Sequence, residues 1–175
     1  TEEQFQTNQS DFKAIPTNIK SANPDIIFAP SSITTAPLII KQAREMGITA
    51  VIAAGDTWEN ATIIENAGAD AEGVVLSTFF DEAAPANDEV RIGEPDIIPA
   101  VSALGYDAYL CLLQAIKDAD STDPAAVRDA LENVSVTGVT GDITFNETGD
   151  ANKSLAFIKT IKDGQFQFLT TTTLE

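Results

Sequence analysis

Short apolar runs alternate with amphipathic stretches along the first eighty residues, and this alternation sets the fold class. After Ser10, the residues Phe12, Ile15 and Ile19 recur at helical spacing and the stretch closes at Asn23-Pro24, so a helix capped by Ser10 is predicted there. DIIFAP follows, a continuous apolar run of the kind that fills a strand buried on both faces. TTAPLIIKQAREMG then carries a threonine cap, an early proline and a closing glycine, the frame of a helix. The unit repeats, with AVIAAG as a strand, ENATIIENAG as a helix and GVVLSTFF as a third strand. Strands spaced by helices need crossover connections, and right-handed crossovers make the sheet parallel with helices on both faces. The predicted class is α/β, a doubly wound parallel sheet.

The pattern changes beyond residue 80. DEAAPANDEVRIGEPD is acidic and rich in proline and alanine, which marks a boundary or hinge. Leu104, Ala108, Cys111 and Ala115 then form one apolar stripe, predicting a helix to about Lys117, and a shorter helix is predicted from Pro124 to Asn133 behind an Asp123 cap. In the last third, GVTGDITFNETGDANKSLAFIKTIKDGQFQFL sets glycine and Asn/Asp turns between β-type runs, and Lys162-Asp163-Gly164 closes a hairpin. C-terminal antiparallel strands are therefore expected. The organisation reads as an α/β segment over 1–85, a hinge and return segment over 86–138 and crossing strands over 139–175, with Leu174-Glu175 resembling a cloning scar.

Charge narrows the partners. With 27 acidic against 10 basic residues the net charge is -17, which repels phosphate backbones and anionic lipid, so nucleic acid and membrane surfaces are excluded as partners. No apolar run approaches the roughly 20 residues that span a bilayer. The start TEEQFQTNQSDF lacks the basic and apolar regions of an export signal, so any such signal is expected to have been removed or never cloned. There is no histidine and a single cysteine, Cys111, which removes an intrachain disulfide, Ser-His-Asp and Cys-His catalysis and the commonest zinc ligand sets. Cys111, inside DAYLCLLQAI, reads as a small core hydrophobe. GVTGDITF lacks the context of a dinucleotide loop, and NETGDAN lacks the EF-hand spacing. No enzyme activity, metal or cofactor is expected.

In an open parallel sheet, ligands bind outside the carboxyl ends of the strands, which points to the loops after DIIFAP and AVIAAG. The first holds Pro30-Ser31-Ser32-Ile33-Thr34 and the second Gly55-Asp56-Thr57-Trp58. Together they could take a small zwitterion: Asp56 pairs with an ammonium, the hydroxyls of Ser31, Ser32 and Thr57 with helix-start amides take polar atoms, and Trp58 covers apolar surface. Each residue has a plainer reading beside this one. Asp56 and Thr57 could cap a helix beginning near Glu59, Ser31 and Ser32 could satisfy turn amides, and Trp58 could pack between lobes. Tyr106 stands at a helical position that suits core as well as site, and Asp107 reads as a solvated or first-turn helix charge.

In order along the chain, SDFKAIPTNIKSANPDIIFAP, LIIKQAREMGI, AGADAEGVVLSTFF, PAVSALGYDAYLCLLQAI and GVTGDITFNETGDANKSLAFIKTIKDGQF resemble the Leu/Ile/Val-binding branch of the type I periplasmic binding proteins. The resemblance covers essentially the whole chain. It implies the extracytoplasmic solute-binding component of an ABC transporter, a two-lobed α/β protein that closes on one amino acid and delivers it to a membrane permease. Residues 1–85 would then belong to the second lobe, 86–138 to the return into the first, and 139–175 to strands crossing back. The acidic residue that takes the ligand's ammonium in such proteins falls at Asp56. The position that commonly supplies an aromatic contact falls at Ser32 and Ile33, a departure from a standard branched-chain pocket. Ser102 and Ala103 fall where the family sets a side chain against the ligand, and alanine there leaves room for a larger one. Full members are roughly twice as long, and an amphipathic helix usual in the family is missing between Val90 and Arg91. Periplasmic or lipoprotein-anchored extracellular placement is implied, and self-association would cover apolar surface that a missing lobe otherwise buries. A ligand-sensing domain of a receptor or regulator would share this fold, as would an α/β hydrolase or flavodoxin-like enzyme, which the missing histidine and phosphate loop oppose.

Overall fold

The computed structural model describes residues 1–6, 9–81, 100–153 and 155–173. Most of the predicted hinge and the junction of Val90 with Arg91 lie outside these residues. The chain divides into two units, Thr1–Thr78 with Ile158–Thr170 and Phe79–Phe157 with Thr171–Glu175.

Unit 1 is built on the predicted alternation. Helix α1 spans Ala14–Ala22, strand β1 Ile26–Phe28, α2 Ala36–Glu45, β2 Val51–Ala54, α3 Ala61–Ala67 and β3 Val75–Thr78. β1 pairs in parallel with β2 (Ile26 opposite Val51, Phe28 opposite Ala53), and β2 in parallel with β3 (Ala53 opposite Val75). Between these strands the helices bury one face each. Ile40 of α2 and Ile63 of α3 are fully enclosed with Ile52, Trp58, Val74 and Ile161 in one cluster. Each such side chain contributes about 1.5–3 kcal/mol by leaving water.

Two local expectations are corrected. Ser10 does not cap α1, because its carbonyl accepts from the Gln42 amide group (3.0 Å) while the Phe12 N–H donates to Gln42 Oε1 (2.7 Å). Those bonds commit the segment to α2, and the helix opens instead at Lys13, whose N–H donates to Asp11 Oδ1. β1 is not buried on both faces: Ile26 is 62% and Phe28 69% exposed, and only Ile27 faces the cluster. The reason is position, since β1 ends the strand order and β2 is its one paired neighbour among the described strands.

Strands β6 (Leu155–Lys162) and β7 (Gln165–Thr173) complete the sheet, whose order is β1-β2-β3-β6-β7. The predicted hairpin turn joins them. Asp163 and Gly164 both take positive φ (54° and 70°), the geometry that suits a two-residue hairpin, and their amides donate to the Glu72 carboxylate at 2.9 and 2.7 Å.

Unit 2 holds α4 (Ala100–Ala119), α5 (Pro124–Leu131) and the antiparallel pair β4 (Val136–Gly138) and β5 (Gly141–Ile143). Asp123 caps α5 as predicted, accepting from the Ala125 and Ala126 amides at 3.1 Å each. The α4 stripe keeps Cys111 and Ala115 as predicted and differs in its first half. Ala103, Asp107, Cys111 and Ala115 are buried at successive fours, whereas Ala108 is exposed.

Candidate functional site

Parallel pairing sends the loops after β1 and β2 out of the same rim of the unit 1 sheet. Their proximity is fixed by a hydrogen bond, from Trp58 Nε1 to the Ser31 carbonyl at 3.1 Å. A short turn, Asp56–Trp58, follows β2 and closes when the Glu59 N–H donates to the Asp56 carbonyl at 2.9 Å.

Five of the sequence-derived candidates meet at this rim. Asp56 is half-buried; its Oδ1 accepts the Thr57 N–H at 3.0 Å, and Oδ2 has no protein donor among the described residues. It is not the cap of α3, because Asn60 takes that place, its side chain accepting from the Thr62 N–H at 2.9 Å. Thr57 is exposed. Ser31 Oγ is buried without a hydrogen-bond partner among the described residues, a state that costs desolvation free energy. Ser32 is exposed and spends its hydroxyl on Thr34 and Thr35, 2.9 and 3.0 Å away, while its carbonyl accepts from the Thr35 and Ala36 amides at the start of α2.

Trp58 departs from its expected role. The ring is 1% exposed and packs within the unit 1 cluster, so it supports the turn from beneath and offers no covering face.

The other three candidates lie in unit 2, on the first turns of α4. Ser102 is exposed, Tyr106 is 44% exposed, and Ala103 is buried against Phe80 and Ala100. Tyr106 is therefore not a core residue. Asp107, expected as a solvated helix charge, is 1% exposed. Its carboxylate accepts from the Val139 N–H (2.7 Å), the Thr140 N–H (2.8 Å) and the Thr140 hydroxyl, and so secures the β4–β5 turn to α4. Lys153 donates to the same Thr140 hydroxyl. Burial pushes the Lys153 ammonium below the usual lysine range against the pull of Asp107, and burial with the Asp107 charge pushes the Cys111 thiol up.

A second buried polar group went unread in the sequence. Glu59, next after the Asp56 turn, forms an ion pair with Lys159 of β6, the two side chains being 5% and 3% exposed. Its second oxygen accepts from the Thr78 hydroxyl at 2.6 Å. The signal was the alternation in LAFIKTIK, where Lys159 shares the inward face with Phe157 and Ile161. Asp107 carried an equivalent signal, a carboxylate in register with Ala103, Cys111 and Ala115.

A cavity of about 590 Å³ lies elsewhere in unit 1, lined by Phe5, Phe12, Ile19, Ile26 and Phe28 among others. None of the five rim candidates borders it; its wall is mostly hydrocarbon, with Thr1, Glu2 and Glu3 at its polar part. Among the described residues no group of three or more His, Cys, Asp or Glu is placed to hold a metal ion. Nor is any of their helices long and apolar enough to cross a membrane.

Polar crossover loops gathered at the carboxyl rim of a parallel sheet define the class, an α/β ligand-binding protein. Comparison with known sequences makes this specific: the chain belongs to the periplasmic binding protein family, which it matches over residues 1–165. The Leu/Ile/Val-binding protein homolog 1 of Brucella suis biovar 1 is 30% identical over 148 residues, covering 81% of this chain and 40% of that one. The Leu/Ile/Val-binding protein of Escherichia coli is 26% identical over 148 residues, with coverages of 81% and 40%. Among solved structures, the leucine-binding protein LivK of Thermotoga maritima has a TM-score of 0.83 at 30% identity, over 97% of this chain and 50% of that one. The chain thus spans 40% of the length of these curated relatives and 50% of this solved structure.

Proposed function

We propose that the protein is the extracytoplasmic solute-binding component of an ABC transporter and that its ligand is an amino acid, branched-chain or related. The observation that carries this reading is the half-buried Asp56, one carboxylate oxygen of which has no protein donor among the described residues, on the loop that Trp58 ties to Ser31, whose buried hydroxyl has no hydrogen-bond partner among those residues. A carboxylate so placed is suited to an ammonium group, and Ser31 and Thr57 to polar atoms near it. Ser32 stands by as a further polar contact, and Trp58 acts through the turn it supports. Ser102, Ala103 and Tyr106 of α4 form the second candidate set. The segment reading is part of the proposal: 1–85 as second lobe, 86–138 as the return into the first, and 139–175 as crossing strands. The role is capture and delivery to a membrane permease, not catalysis.

Isothermal calorimetry of the intact gene product against the twenty common amino acids tests the reading. Micromolar binding of at least one apolar amino acid is expected, and Asp56→Asn should weaken it about 30-fold or more, as loss of one partner of a desolvated charge pair does. No heat from any of the twenty, or undiminished affinity in Asp56→Asn, would sink it.

A further inference from the structure

We propose that Glu59 is a positioning residue for Asp56, acting through the buried pair with Lys159 and the bond from Thr78; this rests on Asp56 being the ammonium partner. Three features place Glu59 in that role. It is the residue on which the Asp56–Trp58 turn closes, through its own N–H to the Asp56 carbonyl at 2.9 Å. Both of its carboxylate oxygens are engaged, one by Lys159 and one by Thr78, in surroundings that leave 5% of the side chain open. And its partners stand where the chain leaves and re-enters unit 1: Thr78 is the last residue before the chain passes to unit 2, and Lys159 is the second after it returns at Ile158.

The physical argument is one of precision. Trp58 ties the end of the turn to the neighbouring loop by donating to Ser31, and Glu59, the next residue, ties it to β3 and β6, so the backbone that follows Asp56 is held in two directions. A binding carboxylate must be held within about 0.5 Å of its working position by neighbours that are themselves locked. A buried ion pair is a poor device for stability alone, since apolar residues of like volume serve as well. Its directional bonds to two strands supply what hydrocarbon would not, a fixed register between turn and sheet.

This separates a structural from a positioning role in one experiment on the intact gene product. The double variant Glu59→Gln, Lys159→Met removes both charges of this pair together and should melt within a few degrees of the parent. Hydrogen exchange at the amides of Thr57, Trp58 and Glu59 is expected to quicken about tenfold or more, with that of Ile63 to Ala67 unchanged. Affinity for the amino acid found in the calorimetric panel should fall about tenfold, whereas a desamino analogue of that amino acid, which has no ammonium for Asp56, should bind parent and variant alike. Unchanged exchange at the turn, or quickened exchange with unchanged affinity, overturns the proposal while leaving Asp56 as ligand. No heat from the parent protein overturns the reading of Asp56 itself, a result seen before any variant is made. Should the double variant fail to fold, Thr78→Val, which removes one bond and no charge, is expected to show the same effects at about threefold, and parental exchange and affinity in it would overturn the proposal.

Discussion

A single added methyl at Gly138 would meet the Asp107 carboxylate, with a built Cβ 2.3 Å from Oδ1 and 2.4 Å from Cγ. Asp107 cannot retreat, because it is held by two backbone amides and a hydroxyl from the β4–β5 turn. Gly138→Ala is therefore expected to cost about 1–3 kcal/mol by overpacking, measured by urea denaturation. In an Asp107→Ala background the clash is gone, and the same change should cost markedly less, a coupling that a double-mutant cycle reads directly. A simple preference for glycine in the strand would cost the same in both backgrounds. Asp107 and Lys159 also mark the limit of reading charges from a sequence. Each occupies an inward position in a regular apolar pattern, so the need for a partner was legible, but the partners are 33 and 100 residues away and depend on how the elements meet.

At the scale of elements, type was readable and burial less so. The strand-helix alternation of residues 26–78 follows from runs of two distinct periods and is present as predicted. The face each element buries depends on its neighbours. DIIFAP reads as doubly buried, yet among the described strands β1 lies at the end of the order with Ile26 and Phe28 outward. In α4 Cys111 and Ala115 are buried as predicted, but in the first half of the helix the stripe is displaced by one residue because Asp107, not Ala108, turns inward to reach the β4–β5 turn. The outward apolar pair on β1 leads to an expectation for this chain. Ile26→Thr with Phe28→Thr should leave the melting temperature nearly unchanged, since exposed substitutions typically fall within about 0.5 kcal/mol. Solubility should rise as an apolar edge becomes polar, measured by light scattering across a concentration series. A fall of many degrees in melting would show that the pair is buried in solution.

For the molecule as a whole, the net charge of -17 is the dominant long-range quantity. Self-repulsion of that size opposes the compact state and is screened over about 10 Å at 0.1 M salt. The melting temperature is therefore expected to climb by several degrees between low salt and about 0.5 M sodium chloride, where the screening length has fallen to roughly 4 Å. A flat or falling trend would mean that favourable pairs among exposed charges outweigh the repulsion of like ones. At this scale the fold class was legible from periodicity and crossover geometry, and the family from the resemblance of five segments in their order along the chain. The candidate site was legible only as far as the rim on which it stands. Which hydroxyl is spent, which carboxylate oxygen stays open and which aromatic lies beneath depend on hydrogen bonds formed after the loops meet.

Trp58 is the chain's sole tryptophan, and both tyrosines, Tyr106 and Tyr109, belong to unit 2. Because its indole bridges the loops of Ser31 and Asp56, this protein carries a built-in optical probe at the spot of most interest. Emission colour and quencher access would track the rim in real time, with no label attached.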